Sequence, residues 1–323
     1  MKKLIAAAVA TSVSAIALAD VSITGSLKTN YTMTDYQSTS VNDSDAFTHE
    51  GDLKILGKSG DTTVVMNFGA IDGSGSAAAT TGTVTSEDVY LTTKIGDVNV
   101  KMGTYDNGNN ELRASTRTPR ASLSTEIGGF TLSYLNGNGT SSSDANQNDE
   151  VGIATTLGGV SVSYTAKDGG ETVKASTSVG GVNLKYLGLP SDTANKDRNY
   201  IELSTELGGV GVKLGKAEAE SSTAITGDTW MGDYEGASGA YALSNGQDVT
   251  AIELSTNLEG NKITFRNVNI DDVASMDTSF NKVIVTRPLA SGATLEVTYT
   301  DLDDDGSTLT DSETLDIELA VKF

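Results

Sequence analysis

The 323-residue chain has no cysteine, one histidine, one tryptophan and three prolines. Without cysteine there is no disulfide framework, no thiol nucleophile and no thiolate metal site. The lone His49 leaves no basis for a multi-histidine metal site or a histidine relay. Basic charge is scarce too: 22 Lys and Arg stand against 43 Asp and Glu, a formal net charge of −21. That balance argues against nucleic acid as a partner, because phosphate contacts need a basic face. Beyond residue 19 no run of 18 apolar residues occurs, so no membrane-spanning helix is expected. The shortage of proline is offset by 35 glycines, a composition that favours tight turns. A chain of this length makes two ordinary soluble domains or one large β domain.

Residues 1–19 read as a secretory signal. Lys2 and Lys3 form its charged start, Leu4 to Ala10 opens an apolar stretch, and Ala17-Leu18-Ala19 is an A-x-A cleavage pattern. The domain to be explained is therefore 20–323. At the other end, Leu315, Ile317, Leu319, Val321 and Phe323 are apolar, while Asp316, Glu318 and Lys322 lie between them. In a strand these two sets point to opposite faces.

The same period-two pattern recurs along the chain, cut by Gly/Asp/Asn/Ser clusters. Val21, Ile23, Leu27, Tyr31 and Met33 oppose Ser22, Thr24, Ser26, Lys28, Asn30 and Thr32. Leu203 and Leu207 oppose Glu202, Ser204 and Glu206, and Leu295, Val297 and Tyr299 oppose Glu296 and Thr298. An internal repeat accompanies it. Ser124 to Tyr134 is echoed by Thr155–Tyr164, Thr177–Tyr186 and Ser204–Leu214, each with a central Gly-Gly, and by Ser255–Phe265 with Glu259-Gly260-Asn261 instead. Strand, Gly-Gly and strand make a tight hairpin, because primed turns need positive φ. Connections at the other ends are long and polar: Asp35 to Asp45, Asp72 to Gly82, Asn136 to Asp149, Ser191 to Asp197 and Ala217 to Asp248. The pattern is an up-and-down meander with two unlike rims.

A soluble sandwich also alternates, but its inward face packs a dense apolar core. Here the face opposite Val, Leu, Ile and Tyr carries Ser, Thr, Gly and mixed charge, as expected for an outward apolar band around a polar interior. The fold class expected is an all-β, transmembrane, antiparallel up-and-down β-barrel. Roughly ten residues per strand give 16 to 18 strands and a water-filled channel rather than a side-chain core.

The signal, the amphipathic strands, the Gly-Gly hairpins and the terminal Val321-Lys322-Phe323 together resemble the general diffusion porins of Gram-negative outer membranes. The resemblance implies a 16-stranded barrel in the cell outer membrane, set in its lipid and usually a homotrimer. Such a barrel passes small hydrophilic solutes and ions passively. It implies that Phe323 ends a strand read by the barrel-assembly machinery. It also implies a third external loop folded into the pore, here Tyr105 to about Arg120. That segment holds Glu111, Arg113, Arg117 and Arg120, in a chain of six arginines. Parity points Lys28, Lys54, Lys94 and Lys101 into the same lumen. These eight residues are the candidate constriction, either a cationic eyelet or a solvated loop whose arginines pair with carboxylates.

Asp301, Asp303 and Asp305, followed by Gly306, match the first positions of a calcium loop, with Ser312 where a bidentate Glu belongs. The segment is either a solvated acidic loop or a weak Ca²⁺ site, and no other cofactor is expected. Asp43, Asp45, Asp271 and Asp272 add acidity at that rim. Trp230, with Tyr234 and Tyr241, fits an interface aromatic, loop packing or a solute-stacking patch. No catalytic arrangement rises above background, so no enzyme is expected. The alternative is a secreted acidic β-rich adhesin or surface-layer protein binding Ca²⁺.

Overall fold

Alternating strands become one closed sheet. The computed structural model describes residues 20–37, 41–69, 73–74, 85–106, 111–112, 117–137, 149–167, 170–220, 230–231, 248–271, 278–304 and 311–323. The expected signal at 1–19 lies outside them. The strands are β1 (Val21–Tyr36), β2 (Ser44–Ser59), β3 (Thr62–Gly69), β4 (Gly73–Ser74), β5 (Thr85–Ile95), β6 (Val98–Asp106), β7 (Arg117–Ile127), β8 (Phe130–Gly137), β9 (Glu150–Leu157) and β10 (Val160–Lys167). They continue as β11 (Gly170–Val179), β12 (Val182–Leu189), β13 (Arg198–Leu207), β14 (Val210–Ala219), β15 (Asp248–Leu258), β16 (Asn261–Asp271), β17 (Thr278–Pro288), β18 (Ala293–Asp304) and β19 (Ser312–Lys322).

Strand β4 is a two-residue bridge to Thr48 and His49 of β2; the other eighteen are staves, all antiparallel, with no helix among the described residues. The first and last staves pair from Ser26↔Lys322 to Tyr36↔Ser312, so the sheet closes and keeps no free edge. Closure is the physical requirement for a sheet in lipid, where unpaired backbone groups are costly. The resemblance implies sixteen staves; the barrel has eighteen.

One rim carries the tight turns. Gly128 and Gly129 have φ of 59° and 84°, and the three other Gly-Gly pairs repeat those values closely. This is the type I′ signature, which matches strand twist and needs positive φ at both positions. The opposite rim carries the long connections, several of which are shorter than expected because strands run further. Strand β6 continues through Asp106 and β7 begins at Arg117, so Arg117 and Arg120 belong to a strand rather than to the loop. Strand β18 likewise runs through Asp301 and Asp303.

Register sorts the side chains. Leu27 pairs with Val321, Leu295 with Leu319 and Leu254 with Phe265, all on the outer face; Lys28 pairs with Glu50 and Asn30 with Glu318 on the inner one. The outer set is uncovered: Leu27, Leu203, Leu254, Val283 and Leu319 are each exposed by more than a third. An apolar belt around a closed barrel is a lipid-facing surface. The adhesin alternative gives this belt no role and finds no support.

The lumen is not polar throughout, contrary to expectation. Toward the long-loop rim of β12–β18 the alternation keeps its period but reverses its sense. Val268 and Ile270 are buried on the inner face, while Asn267 and Asn269 face outward, with Asn267 donating to Asn281. Inner-face Leu187, Tyr200, Val249, Phe280 and Leu302 form one apolar cluster with Leu112 and Met231 from two long connections. The outer belt ends below this level, so polar residues can face water outside while apolar ones pack inside.

Candidate functional site

The lumen wall along β8–β12 is made mostly of small residues. Two cross-strand rows share its inner face: Thr156, Ser161, Ser176 and Lys185, and, nearer the long-loop rim, Ala154, Ser163, Lys174 and Leu187. Because these side chains are short, they border a cavity of about 640 Å³ that is also touched by Thr131 and Glu111. Hydroxyls and two ammonium groups dominate its polar lining.

Glu111 and Leu112 arrive from the connection between β6 and β7 and reach β12 and β13, with β8–β11 standing between. Lys185 donates to the Glu111 carboxylate, and Arg198 Nη1 donates to the Leu112 carbonyl at 3.1 Å. The Leu112 side chain is fully buried in the apolar cluster. The chain thus crosses the lumen and narrows it beside the hydroxyl wall.

A second inward segment supplies Trp230 and Met231, from between β14 and β15. Trp230 Nε1 donates to the Tyr200 hydroxyl at 2.9 Å and to the Glu202 carboxylate at 3.0 Å. Lys213 Nζ and the Arg266 guanidinium lie 4.7 and 5.6 Å from its ring centroid, within cation–π range. Glu253 bridges the two cations, at 3.3 Å from Lys213 and 2.8 Å from Arg266. Gly215 makes the fit possible: a Cβ there would stand 2.5 Å from Met231 Sδ and 2.7 Å from Trp230 Cζ2.

On the β5–β7 wall, Lys101 Nζ lies 4.1 Å from the Tyr90 ring centroid and 3.8 Å from that of Tyr105. The Arg120 guanidinium also lies 5.5 Å from the Tyr105 ring centroid. Among the described residues the lumen therefore has a packed side, the apolar cluster of β12–β18, and a side that borders the cavity.

Solved structures share this architecture. Pseudomonas aeruginosa OccK9 (OpdG) is 14% identical, with 94% of this chain and 98% of that one covered and a TM-score of 0.67. Pseudomonas aeruginosa OpdQ is 13% identical over 94% and 99% of the two chains, with a TM-score of 0.66. Acinetobacter baumannii OccAB2 is 13% identical over 94% and 98%, with a TM-score of 0.65. The chain has the outer-membrane porin fold. No family model matches it, and no curated protein does.

Within the porin fold the eight sequence candidates separate. Glu111 is in the crossing segment. Lys28 faces inward, 3.9 Å from Glu318, and Lys54 faces inward opposite Thr24. Lys101 and Arg120 form the tyrosine-lined patch, with the Arg120 guanidinium donating to Thr118. Lys94 also faces inward, but close to the Gly96 turn and far from Arg120 along the pore. Arg117 shares the outer register with Leu123 and pairs at the rim with Glu87 and Asp88, at 3.4 and 3.1 Å. Arg113 lies outside the described residues. The candidates are distributed along the lumen and not gathered into one ring.

Of the calcium motif, Asp301 and Asp303 sit on the outer face of β18, opposite Asn281 and Ser279, with Leu302 between them pointing inward. A calcium loop curls its ligands onto one point, whereas these two sit along a straight strand. Asp305 lies outside the described residues. Phe323 exchanges two backbone hydrogen bonds with Gly25. His49 pairs with Thr29 on the outer face.

Sequence reasoning missed Lys174, Lys185, Arg198, Lys213, Glu253 and Arg266. Parity would have placed Lys185, Lys213, Glu253 and Arg266 inward, since Leu184, Leu214, Leu254 and Phe265 beside them are outward. What parity does not give is the partner: Lys185 and Glu111 are 74 residues apart.

Proposed function

We propose that this chain is an outer-membrane porin that passes small hydrophilic solutes and ions by passive diffusion. The observation that carries this is one barrel with two surfaces: a continuous apolar belt outside, and a hydroxyl-rich wall bordering open space inside. An eighteen-stranded barrel is wide enough for an aqueous path beside the crossing segment. With short turns facing the periplasm and long connections facing outward, the crossing segment sits on the route from outside. The hydroxyl wall favours hydrated solutes of several kinds over a single closely fitted ligand. The resemblance adds a homotrimeric assembly, and insertion by machinery that reads β19 and Phe323.

The test is conductance of the detergent-purified protein in planar bilayers. Stepwise currents of uniform size are expected. Folded, heat-modifiable protein that inserts and passes no current overturns the proposal.

A further inference from the structure

The crossing segment brings the Glu111 carboxylate to Lys185 on the lumen wall. Lys174 and Lys185 are diagonal neighbours on adjacent strands: Lys174 pairs across with Leu187, and Ser176 with Lys185. In this arrangement their Cβ atoms lie within roughly 7–8 Å of each other. Both border the same cavity. Lys185 is occupied by the Glu111 carboxylate, while Lys174 has no hydrogen bond or ion pair among the described residues. Ser163, directly opposite Lys174, and Ser161, opposite Ser176, add hydroxyl donors on the same face.

Resting on the porin reading, we infer that Lys174 and Lys185 form a binding subsite for small dianionic oxyanions, dicarboxylates or phosphate, in which Glu111 is the built-in competitor. Lys174 takes the first oxyanion group from the aqueous path. Lys185 then exchanges the Glu111 carboxylate for the second, and the serine hydroxyls donate to the remaining oxygens. The exchange is feasible for two reasons. The Lys185 side chain is 44% exposed, so a solute can reach its ammonium while it still holds the Glu111 carboxylate, itself 18% exposed. The crossing segment also stays anchored without Glu111, by the Arg198 bond to the Leu112 carbonyl and by burial of Leu112. Releasing Glu111 therefore changes the charge facing the solute without releasing the segment. A transiting dianion dwells at this wall, and a monoanion such as chloride meets only Lys174.

The test titrates chloride current through single channels with inorganic phosphate and, separately, with succinate, at constant ionic strength. Both arms are expected to block chloride current saturably in the unmodified protein. Lys174→Gln and Lys185→Gln should each raise the half-blocking concentration about tenfold, the loss of one charge-assisted contact. Glu111→Gln should lower it by a similar factor, and Lys174→Arg should preserve it. Block by one arm alone assigns the subsite to that oxyanion. Channels whose half-blocking concentration is unchanged in Lys174→Gln, or not lowered in Glu111→Gln, overturn the inference and leave the porin reading intact. Absence of channels from folded protein overturns both.

Discussion

Phe323 and Gly25 exchange both backbone hydrogen bonds, at 2.8 and 3.0 Å, and the Phe323 ring lies over the glycine where a side chain would stand. The last residue thereby completes the seam between β1 and β19. A Cβ on Gly25 would come within 2.5 Å of the ring and 2.7 Å of the Asp52 carbonyl oxygen.

Gly25→Ala is therefore expected to destabilise the closed barrel by about 1–3 kcal/mol, the usual cost of overpacking. Removing the ring in a Gly25→Ala, Phe323→Ala double variant should recover only part of it, because the Asp52 carbonyl remains. Urea unfolding in lipid vesicles measures this. Full recovery in the double variant would show that the carbonyl contact relaxes freely.

The larger part of the cost of an added charge should follow parity. Leu203→Lys puts an ammonium on the outer belt and is expected to cost up to about 2–4 kcal/mol near the bilayer midplane. Ser204→Lys, one residue along and facing the lumen opposite Lys213, should cost no more than the like-charge penalty of up to about 1 kcal/mol. Equal costs in a vesicle refolding titration would mean that the belt is not lipid-facing.

The Glu259–Gly260 turn is the natural exception among the glycine pairs. Glu259 holds φ of 50°, where the four corresponding residues are glycine at 58–60°. Positive φ costs a non-glycine residue about 1–2 kcal/mol, and glycine gives back part of that in unfolded-chain entropy. Glu259→Gly should raise stability by up to about 1 kcal/mol. Loss of stability in the same unfolding assay would count against the turn assignment.

Trp230 is the sole tryptophan of the chain, so its fluorescence reports the inward segment directly. Gly215→Leu should displace Trp230 and Met231 from the wall. A red-shifted emission, stronger quenching by acrylamide and a larger channel conductance are expected together. Unchanged emission with unchanged conductance would mean that the wall accommodates the added side chain in place.

Much of the barrel was legible because its signals are local. The alternation of Leu315, Ile317, Leu319 and Val321 with Asp316 and Glu318 appears unchanged as outer and inner faces of β19. Each Gly-Gly in the repeat became a positive-φ turn. The acidic Asp301–Asp304 stretch misled, because its composition suits a loop. In fact the ladder to Asn281 and Ser279 carries the strand on, and outward acids there face water. The buried, inward Val268 and Ile270 depart from the expected polar lumen for a related reason: alternation has a period but no label saying which face is inside.

The sequence by itself determined the closed antiparallel barrel, its short-turn rim and the lipid-facing residues. Turn chemistry acts over two residues and alternation over ten, and lipid penalises any slip in register. The tertiary structure alone decided what fills the lumen. That Glu111 meets Lys185, and that Trp230 rests on Gly215, are contacts between distant segments. They are set by the width and curvature of eighteen staves closing together, a property that no single stretch of the chain carries.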